Sequence, residues 1–207
     1  MAGPITHIVI SERLLEKFIL KTPVVKDFIL GTSFPDIRYL AKIEREKTHF
    51  KVENIDDIDK VNSFKAGLQF HSYVDIFTNK YIREKNVFSF CPESPFTHTI
   101  IKFLEDKYFY DRSNNWNKYI DYFKDVTSDE LSIGVDRENI SKWHTALVSY
   151  LSEEPTDESA IRYGSVIGFS QELISKLLID LEAVSKIKEV NEYIEDFYNN
   201  FEGLLKV

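Results

Sequence analysis

The sequence predicts an all-α protein, and three observations support that prediction. Apolar residues recur at spacings of three and four along most of the chain, which is typical of amphipathic helices. No segment shows the sustained alternation of apolar and polar residues that indicates a half-buried strand. The chain contains only 7 glycines and 6 prolines, too few for an all-β domain with a turn about every ten residues.

Length and composition indicate one globular domain. At 207 residues the chain can bury a substantial core. We interpret residues 1–207 as a single helical domain, with the candidate functional residues in 1–110 and further helices in 111–207. Hydrophobic residues make up 43% and aromatic residues 14% of the chain, which argues against disorder. The single cysteine, Cys91, excludes an intramolecular disulfide.

Net charge and the first residues bear on partners and location. The formal net charge of −8 repels nucleic acid and anionic membranes on average, so nucleic acid is a less favoured partner. The opening stretch MAGPITHIVISERLLEKF lacks the basic region and the long apolar core of a signal peptide. No run approaches the roughly 18 apolar residues that cross a bilayer. We expect a cytoplasmic protein without a transmembrane segment; another export route and the oligomeric state stay open.

Four helices are predicted in the first half of the chain. They span residues 6–21, 22–31, 59 to the low 80s, and 94–110, where Ser94-Pro95 opens the last. The second begins at Thr22-Pro23, a cap followed by a favoured first-turn proline, and is expected to end at Gly31. The stretch TSFPDIRYL, residues 32–40, is predicted to be a loop because Pro35 biases the residue before it away from helical backbone angles.

The segment 43–59 and the second half are less regular. Residues 43–59 are charged and weakly patterned, so we expect a surface segment that holds His49. Helices are predicted at residues 116–126, 139–154 and 157–205, the last as one long broken helix or as two. The stretch TSDELSIGVDREN, residues 127–139, is predicted to be a linker. Gly164 and Gly168 would allow close contact between helices.

The stretch AGLQFHSYVDIF, residues 66–77, places a histidine and a carboxylate on one helical face. His71 and Asp75 are four residues apart, and Phe64 and Leu68 extend the same face upstream at the spacing of a core-facing helix. Burying an unpaired carboxylate is costly, so we hypothesise that a metal ion binds there. The alternative is a buried hydrogen-bonded pair in which Asp75 orients His71.

Four other residues are candidate ligands: His7, Asp36, His49 and His98. His7 lies on the apolar face of the first helix, and Asp36 lies in a tight Phe-Pro-Asp turn. Imidazoles and carboxylates suit zinc, manganese or iron. Structural roles are the alternatives: Asp36 could cap a helix, His49 could lie on the surface, and His98 could pair with Glu105.

Two arginines and one histidine have simpler readings. Arg38 and Arg83 could contact phosphate, since guanidinium matches phosphate oxygens well. For Arg83, pairing with nearby acids on a solvated face is the preferred interpretation. His144 follows Trp143 on the apolar stripe of a helix, so we predict a core histidine with its hydrogen bonds satisfied.

Four short motifs, in order, resemble the zinc-dependent phospholipase C family, which is similar in fold to the S1/P1-type nucleases. They are GPITH (3–7), the stretch from Gly31 to Asp36 that ends in FPD, THF (48–50) and AGLQFHSYVD (66–75). The resemblance implies an all-helical bundle of the phospholipase C/P1 nuclease type, with the site at one end of its core. It covers well under half of the chain.

The resemblance also implies ligands, cofactor and chemistry. His49, His71 and Asp75 would bind one Zn²⁺, and Asp75 would bridge to a second ion held by His7. Asp36 would lie near the metals and bind them or accept a proton from the attacking water. The implied activity is hydrolysis of a phosphoester, either a small molecule or a phospholipid head group. One or two zinc ions are expected, and another divalent metal would also suit these ligands.

The sequence departs from the family downstream of Asp75. The family's third site uses further histidines and a His-x3-Glu pair, whereas His98 is followed four residues later by Lys102. Glu105 shares the His98 face and is a weaker substitute, so His98 is kept as a candidate ligand. Two alternatives remain: a non-catalytic helical metal-binding module, and a metal-dependent nuclease or phosphatase on the same fold. An HD-type metallohydrolase is disfavoured because the chain has no His-Asp dipeptide.

Overall fold

The computed structural model describes residues 2–17, 24–60 and 62–204, and this part of the chain contains helices and no β-strand. The helices are α1 Pro4–Lys17, α2 Val25–Ser33, α3 Arg38–Ala41, α4 Ser63–Glu84, α5 Thr97–Tyr110, α6 Trp116–Tyr122, α7 Ser128–Ser132, α8 Arg137–Leu151, α9 Asp157–Val166, α10 Gln171–Ser185 and α11 Lys188–Leu204. Short 3-10 turns lie at Pro35–Ile37, Arg45–Lys47, Ile55–Asp57 and Val87–Phe90. The prediction of an all-α protein is confirmed.

Two glycines bring the backbones of α2 and α4 into direct contact. A Cβ atom on Gly31 would lie 2.1 Å from the carbonyl oxygen of Phe64, and one on Gly67 would lie 2.3 Å from that of Phe28. Only residues without a side chain fit at this crossing. The prediction that the second helix ends at Gly31 is therefore wrong: α2 continues through it to Ser33.

The helices share one buried core. More than half of α4 is buried, including Phe70 and Val74, and Ile8 of α1 joins the same cluster. Toward the C-terminus, Phe109 of α5 stacks on Phe197 of α11 with ring centroids 6.2 Å apart. Stacked and apolar contacts of this kind supply most of the stability of a helical domain.

The prediction of a loop at residues 32–40 is wrong, because most of this segment is helical. It forms the 3-10 turn Pro35–Ile37 and then α3. Proline is tolerated at the start of a helical turn, where its missing N–H has no partner to lose. Asp36 does not cap α3, because the cap position belongs to Ile37. The carboxylate of Asp36 is therefore not used in helix capping.

Two predictions in the second half also need correction. The proposed linker at residues 127–139 contains α7, which begins with a reciprocal capping box between Thr127 and Glu130. The stretch predicted as one broken helix or two at 157–205 forms three helices within its described residues, 157–204. The break after α9 lies at Gly168, whose backbone φ of +96° suits glycine.

The other predicted helices correspond to α1, α4, α5, α6 and α8, with ends that differ by a few residues. The predicted helix start at Thr22-Pro23 lies outside the described residues, as does the end of the first predicted helix. Within the described ranges, no helix combines the length and the apolar character needed to cross a membrane.

Candidate metal centre

The structure brings together five of the six candidate ligands. They form two overlapping groups whose ligand atoms lie within 4.8 Å of one another: His7, His71 and Asp75, and Asp36, His49 and His71. His71 belongs to both groups, and its ring stacks on that of His7 with centroids 3.8 Å apart. The site lies where α1, the turn after α2 and the segment before α4 meet α4.

Asp75 lies at the centre of three imidazoles. Its Oδ1 atom is 3.4 Å from Nε2 of His7 and accepts a hydrogen bond from the backbone N–H of Ala2 at 3.1 Å. Its Oδ2 atom is 3.7 Å from Nε2 of His49 and 3.8 Å from Nε2 of His71. Only 1% of Asp75 is exposed.

A backbone carbonyl orients His71. Nδ1 of His71 lies 2.8 Å from the carbonyl oxygen of Thr32 at the end of α2. A carbonyl can only accept, so Nδ1 carries the proton of the neutral ring and Nε2 presents a lone pair to Asp75. The 3.8 Å distance to Asp75 is too long for a hydrogen bond, which argues against the alternative of a directly bonded pair.

A hydroxyl orients His49 in the same way. The hydroxyl of Thr48 donates to the carbonyl oxygen of Pro35 at 3.1 Å, so it accepts from Nδ1–H of His49, 3.0 Å away. Nε2 of His49 then presents its lone pair toward Asp75. The segment is a surface segment as predicted, but the imidazole points inward and its side chain is 4% exposed.

Burial keeps the imidazoles neutral while the central carboxylate stays ionised. Burial lowers the pKa of His7 and lowers the pKa of His49 and of His71 to about 4. Burial alone would raise the pKa of Asp75, but His71 and His7 beside it hold that pKa well below its usual range. Neutral imidazole and ionised carboxylate are the forms that bind metal ions.

Asp36 is turned inward by the Pro35–Ile37 turn and is 8% exposed. Its Oδ1 atom has no hydrogen-bond partner in the described part of the chain. Burial alone would raise the pKa of Asp36, but Lys102 and His71 hold it below its usual value. The carboxylate is therefore ionised and available to a cation or a proton.

Two cationic side chains approach the carboxylates. The guanidinium of Arg45 lies 3.7 Å from Oδ2 of Asp75, and Lys102 projects from α5. Burial alone would lower the pKa of Lys102, yet Asp36 and Asp75 raise it, so the side chain remains an ammonium ion. Sequence reasoning gave neither residue a role: Arg45 lies in a weakly patterned segment, and Lys102 appeared only as a departure from a family motif.

A cavity of about 270 Å³ opens beside the centre. Its polar lining includes Asp36, Tyr39, His98 and Lys102, and its apolar lining includes Phe103, Tyr163, Ile167 and Phe169. Asp36 belongs both to this cavity and to the ligand cluster, so a molecule bound in the cavity would reach the centre.

His98 lies on the cavity wall and belongs to neither ligand group. Burial lowers its pKa to about 4, and its Nε2 has no hydrogen-bond partner among the described residues. The predicted pairing with Glu105 is wrong, because Glu105 accepts instead from the hydroxyl of Tyr193 at 3.1 Å. The imidazole ring of His98 lies edge-on to the ring of Phe88, with ring centroids 5.8 Å apart.

Three further candidates, His144, Arg38 and Arg83, belong to neither ligand group. Nε2 of His144 lies 2.6 Å from Oε1 of Glu130, and the histidine is 4% exposed, which confirms the prediction of a satisfied core histidine. The guanidinium of Arg38 covers the ring of Tyr39 at 3.8 Å. Arg83 is exposed on α4, but the predicted pairing with nearby acids is wrong, because among the described residues it has no salt bridge within 4.0 Å.

Glu105 gives a pH-dependent prediction. Burial raises its pKa to about 8, against 4.5 for an ordinary glutamate. The folded protein keeps a proton that the unfolded chain releases between these values, so this group lowers stability as pH rises from 4.5 to 8. We expect Glu105→Gln to be more stable than wild type above pH 8, by roughly 3–5 kcal/mol, with little difference at pH 5.

Urea unfolding at pH 5 and pH 8.5 measures this difference. Glu189→Gln, an exposed glutamate on α11, is the matched control and should follow wild type at both values. A Glu105→Gln difference that is the same at both pH values would contradict the prediction.

Comparison with known proteins gives no relative: no family model, curated protein or solved structure matches the chain.

Proposed function

We propose that the chain is a metal-dependent phosphoester hydrolase, phospholipase C-like, on a helical bundle of the phospholipase C/P1 nuclease type. One or two zinc ions would be held by His7, Asp36, His49, His71 and Asp75. One observation carries the proposal: the lone pairs of His49 Nε2 and His71 Nε2 both face the Asp75 carboxylate, at 3.7 and 3.8 Å. Two imidazole nitrogens and a carboxylate oxygen that converge in this way are ligand types that a divalent metal ion binds together.

The distances suit a zinc ion. Two tetrahedral ligands at zinc–ligand distances of 2.0–2.2 Å stand roughly 3.3–3.6 Å apart, and small side-chain shifts bring the observed separations into that range. The bonds from His71 to Thr32 and from His49 to Thr48 are outer contacts of the kind that orient metal-binding histidines.

Asp36 has the position of a proton acceptor. It is ionised, its Oδ1 lacks a hydrogen-bond partner within the described ranges, and it lines the cavity where an ester would lie. Zinc bound here would lower the pKa of a bound water toward ~7. Asp36 would then orient that water and accept its proton, or serve as a further ligand.

The cavity favours a small substrate. A volume of about 270 Å³ accommodates a phosphoester or a phospholipid head group. The net charge of −8 disfavours long polyanions, so the nuclease alternative is weaker than a small-molecule phosphatase or phosphodiesterase. A non-catalytic metal-binding module is the second candidate, because His98 lies outside both ligand groups.

Elemental analysis tests the proposal. We expect protein purified without a nickel column to carry one or two equivalents of zinc, and His71→Ala to lose them while keeping its far-ultraviolet circular dichroism. His144→Gln, a histidine of similar burial outside the site, should keep its zinc. Hydrolysis of phosphodiester and phosphomonoester substrates by the wild type separates an enzyme from a metal-binding module.

Equal metal in wild type and His71→Ala would contradict the assignment of ligands. Absence of metal from the wild type, even after reconstitution, would contradict the proposal as a whole.

A further inference from the structure

Lys102 lines the cavity beside the metal centre and carries an ammonium group. Lys102 and His98 are four residues apart on α5, so both side chains project from the same face of the helix, and both line the cavity. Asp36 lines the same cavity and is also a candidate ligand. Lys102 therefore stands beside the place where a reacting group would meet the metals.

Lys102 is not held in a salt bridge. Among the described residues it forms no ion pair within 4.0 Å, although most of its surface is covered by protein. In the metal-free protein its charge is offset from a longer distance by the carboxylates of Asp36 and Asp75. The charge of Lys102 thus suits an anion that enters the cavity.

The charges around the metal centre favour a phosphate group as that anion. Asp106, which also lines the cavity, already accepts hydrogen bonds from Thr6 and Tyr150. Asp36 and Asp75 carry two negative charges, which a zinc ion would neutralise. With metal bound, the charge of Lys102 is no longer offset by these carboxylates. A phosphate oxygen is a strong acceptor for an ammonium group, whereas a neutral ester would leave the charge uncompensated.

We propose that Lys102 is the phosphate-binding residue of this cavity, and that it fixes a non-bridging oxygen of the substrate while the organic group lies against Phe103, Ile167 and Phe169. This inference rests on the proposed function. It makes the substrate a phosphate ester with a small, partly apolar group, since these side chains form one wall of the cavity.

Inorganic phosphate is the probe for this role. Calorimetric titration of the zinc-loaded wild type with phosphate is compared with Lys102→Met and Lys102→Arg. We expect Lys102→Met to weaken phosphate binding about tenfold to a hundredfold, the range for losing a charge-assisted hydrogen bond. Lys102→Arg keeps the charge and should retain most of the affinity.

Lys107→Met is the matched control. Lys107 lies on the same helix, is exposed and lines a different groove, so phosphate affinity should not change. Zinc content should be the same in all variants, because removing a cation does not weaken binding of another cation.

A second arm distinguishes the source of the phosphate group. Glycerol phosphate and a short-chain phosphatidylcholine, kept below its micellar concentration, are titrated into wild type and Lys102→Met. If Lys102→Met loses binding of both ligands, the two share one phosphate site. The ligand that binds the wild type more tightly then shows whether a small ester or a lipid supplies the phosphate group.

Three results would overturn the inference. Unchanged phosphate affinity in Lys102→Met, with zinc retained, means that Lys102 does not bind phosphate. Joint loss of zinc and phosphate means that Lys102 supports the metal ligands instead. A wild type that takes up no zinc removes the proposed function, and this inference with it.

Discussion

Asp75→Asn is expected to purify without zinc and to lose the thermal stabilisation that zinc gives the wild type. Asp75 is the one carboxylate within 3.8 Å of three imidazoles in the described part of the chain, and asparagine is a poor zinc ligand. At free zinc 100-fold above the dissociation constant, the metal stabilises the folded protein by about 2.7 kcal/mol. For a chain of this length, that corresponds to about 5–10 °C in Tm.

Calorimetric melting with and without a chelator measures the effect. Chelation should lower the Tm of the wild type and leave that of Asp75→Asn unchanged. Asp56→Asn, an exposed acid outside the cluster, should respond as the wild type does. A zinc-dependent rise in Tm that survives in Asp75→Asn would place the metal elsewhere.

Gly67→Ala is expected to cost at least 3 kcal/mol of folding free energy. The added methyl group would lie 2.3 Å from the carbonyl oxygen of Phe28 and 2.7 Å from the backbone nitrogen of Thr32. Both are backbone atoms, so α2 and α4 must move apart, at a cost near or above the upper end for overpacked cores. The same movement displaces the Thr32 carbonyl that orients His71, so zinc affinity should fall as well.

Gly203→Ala is the control, since a Cβ there meets no atom within 4 Å. It should leave stability unchanged or raise it by up to about 1 kcal/mol, because alanine favours the helix. Urea unfolding of both variants measures the difference. A Gly67→Ala protein within 1 kcal/mol of wild type would show that the two helices tolerate separation.

Periodicity was enough to predict most helices but not their ends. The spacing around His71 predicted α4 because a buried helical face repeats every three to four residues. Gly31 misled because a glycine that ends a helix and a glycine that admits another backbone look alike in one sequence. The structure distinguishes these two roles, because Gly67, which is far away in sequence, lies directly against Gly31.

The candidate site was predictable where its residues lie close in sequence. His71 and Asp75 are one turn apart, and the ordered motifs pointed to His7, Asp36 and His49. Lys102 was not assigned a role because its meaning depends on a cavity formed by several helices. The outer contacts from Thr32 and Thr48 leave no mark in a sequence, because backbone and hydroxyl groups occur at many positions.

The contact between Ala2 and Asp75 joins positions 73 residues apart in the sequence. This separation affects the kinetics of folding and unfolding. A chain must close a long loop before such partners meet, so we expect the cluster to assemble late in folding. Interactions completed after the rate-limiting step barely change how fast a protein folds, but they slow its unfolding. A cation held there would therefore slow unfolding and lengthen the lifetime of the native protein, without speeding its folding.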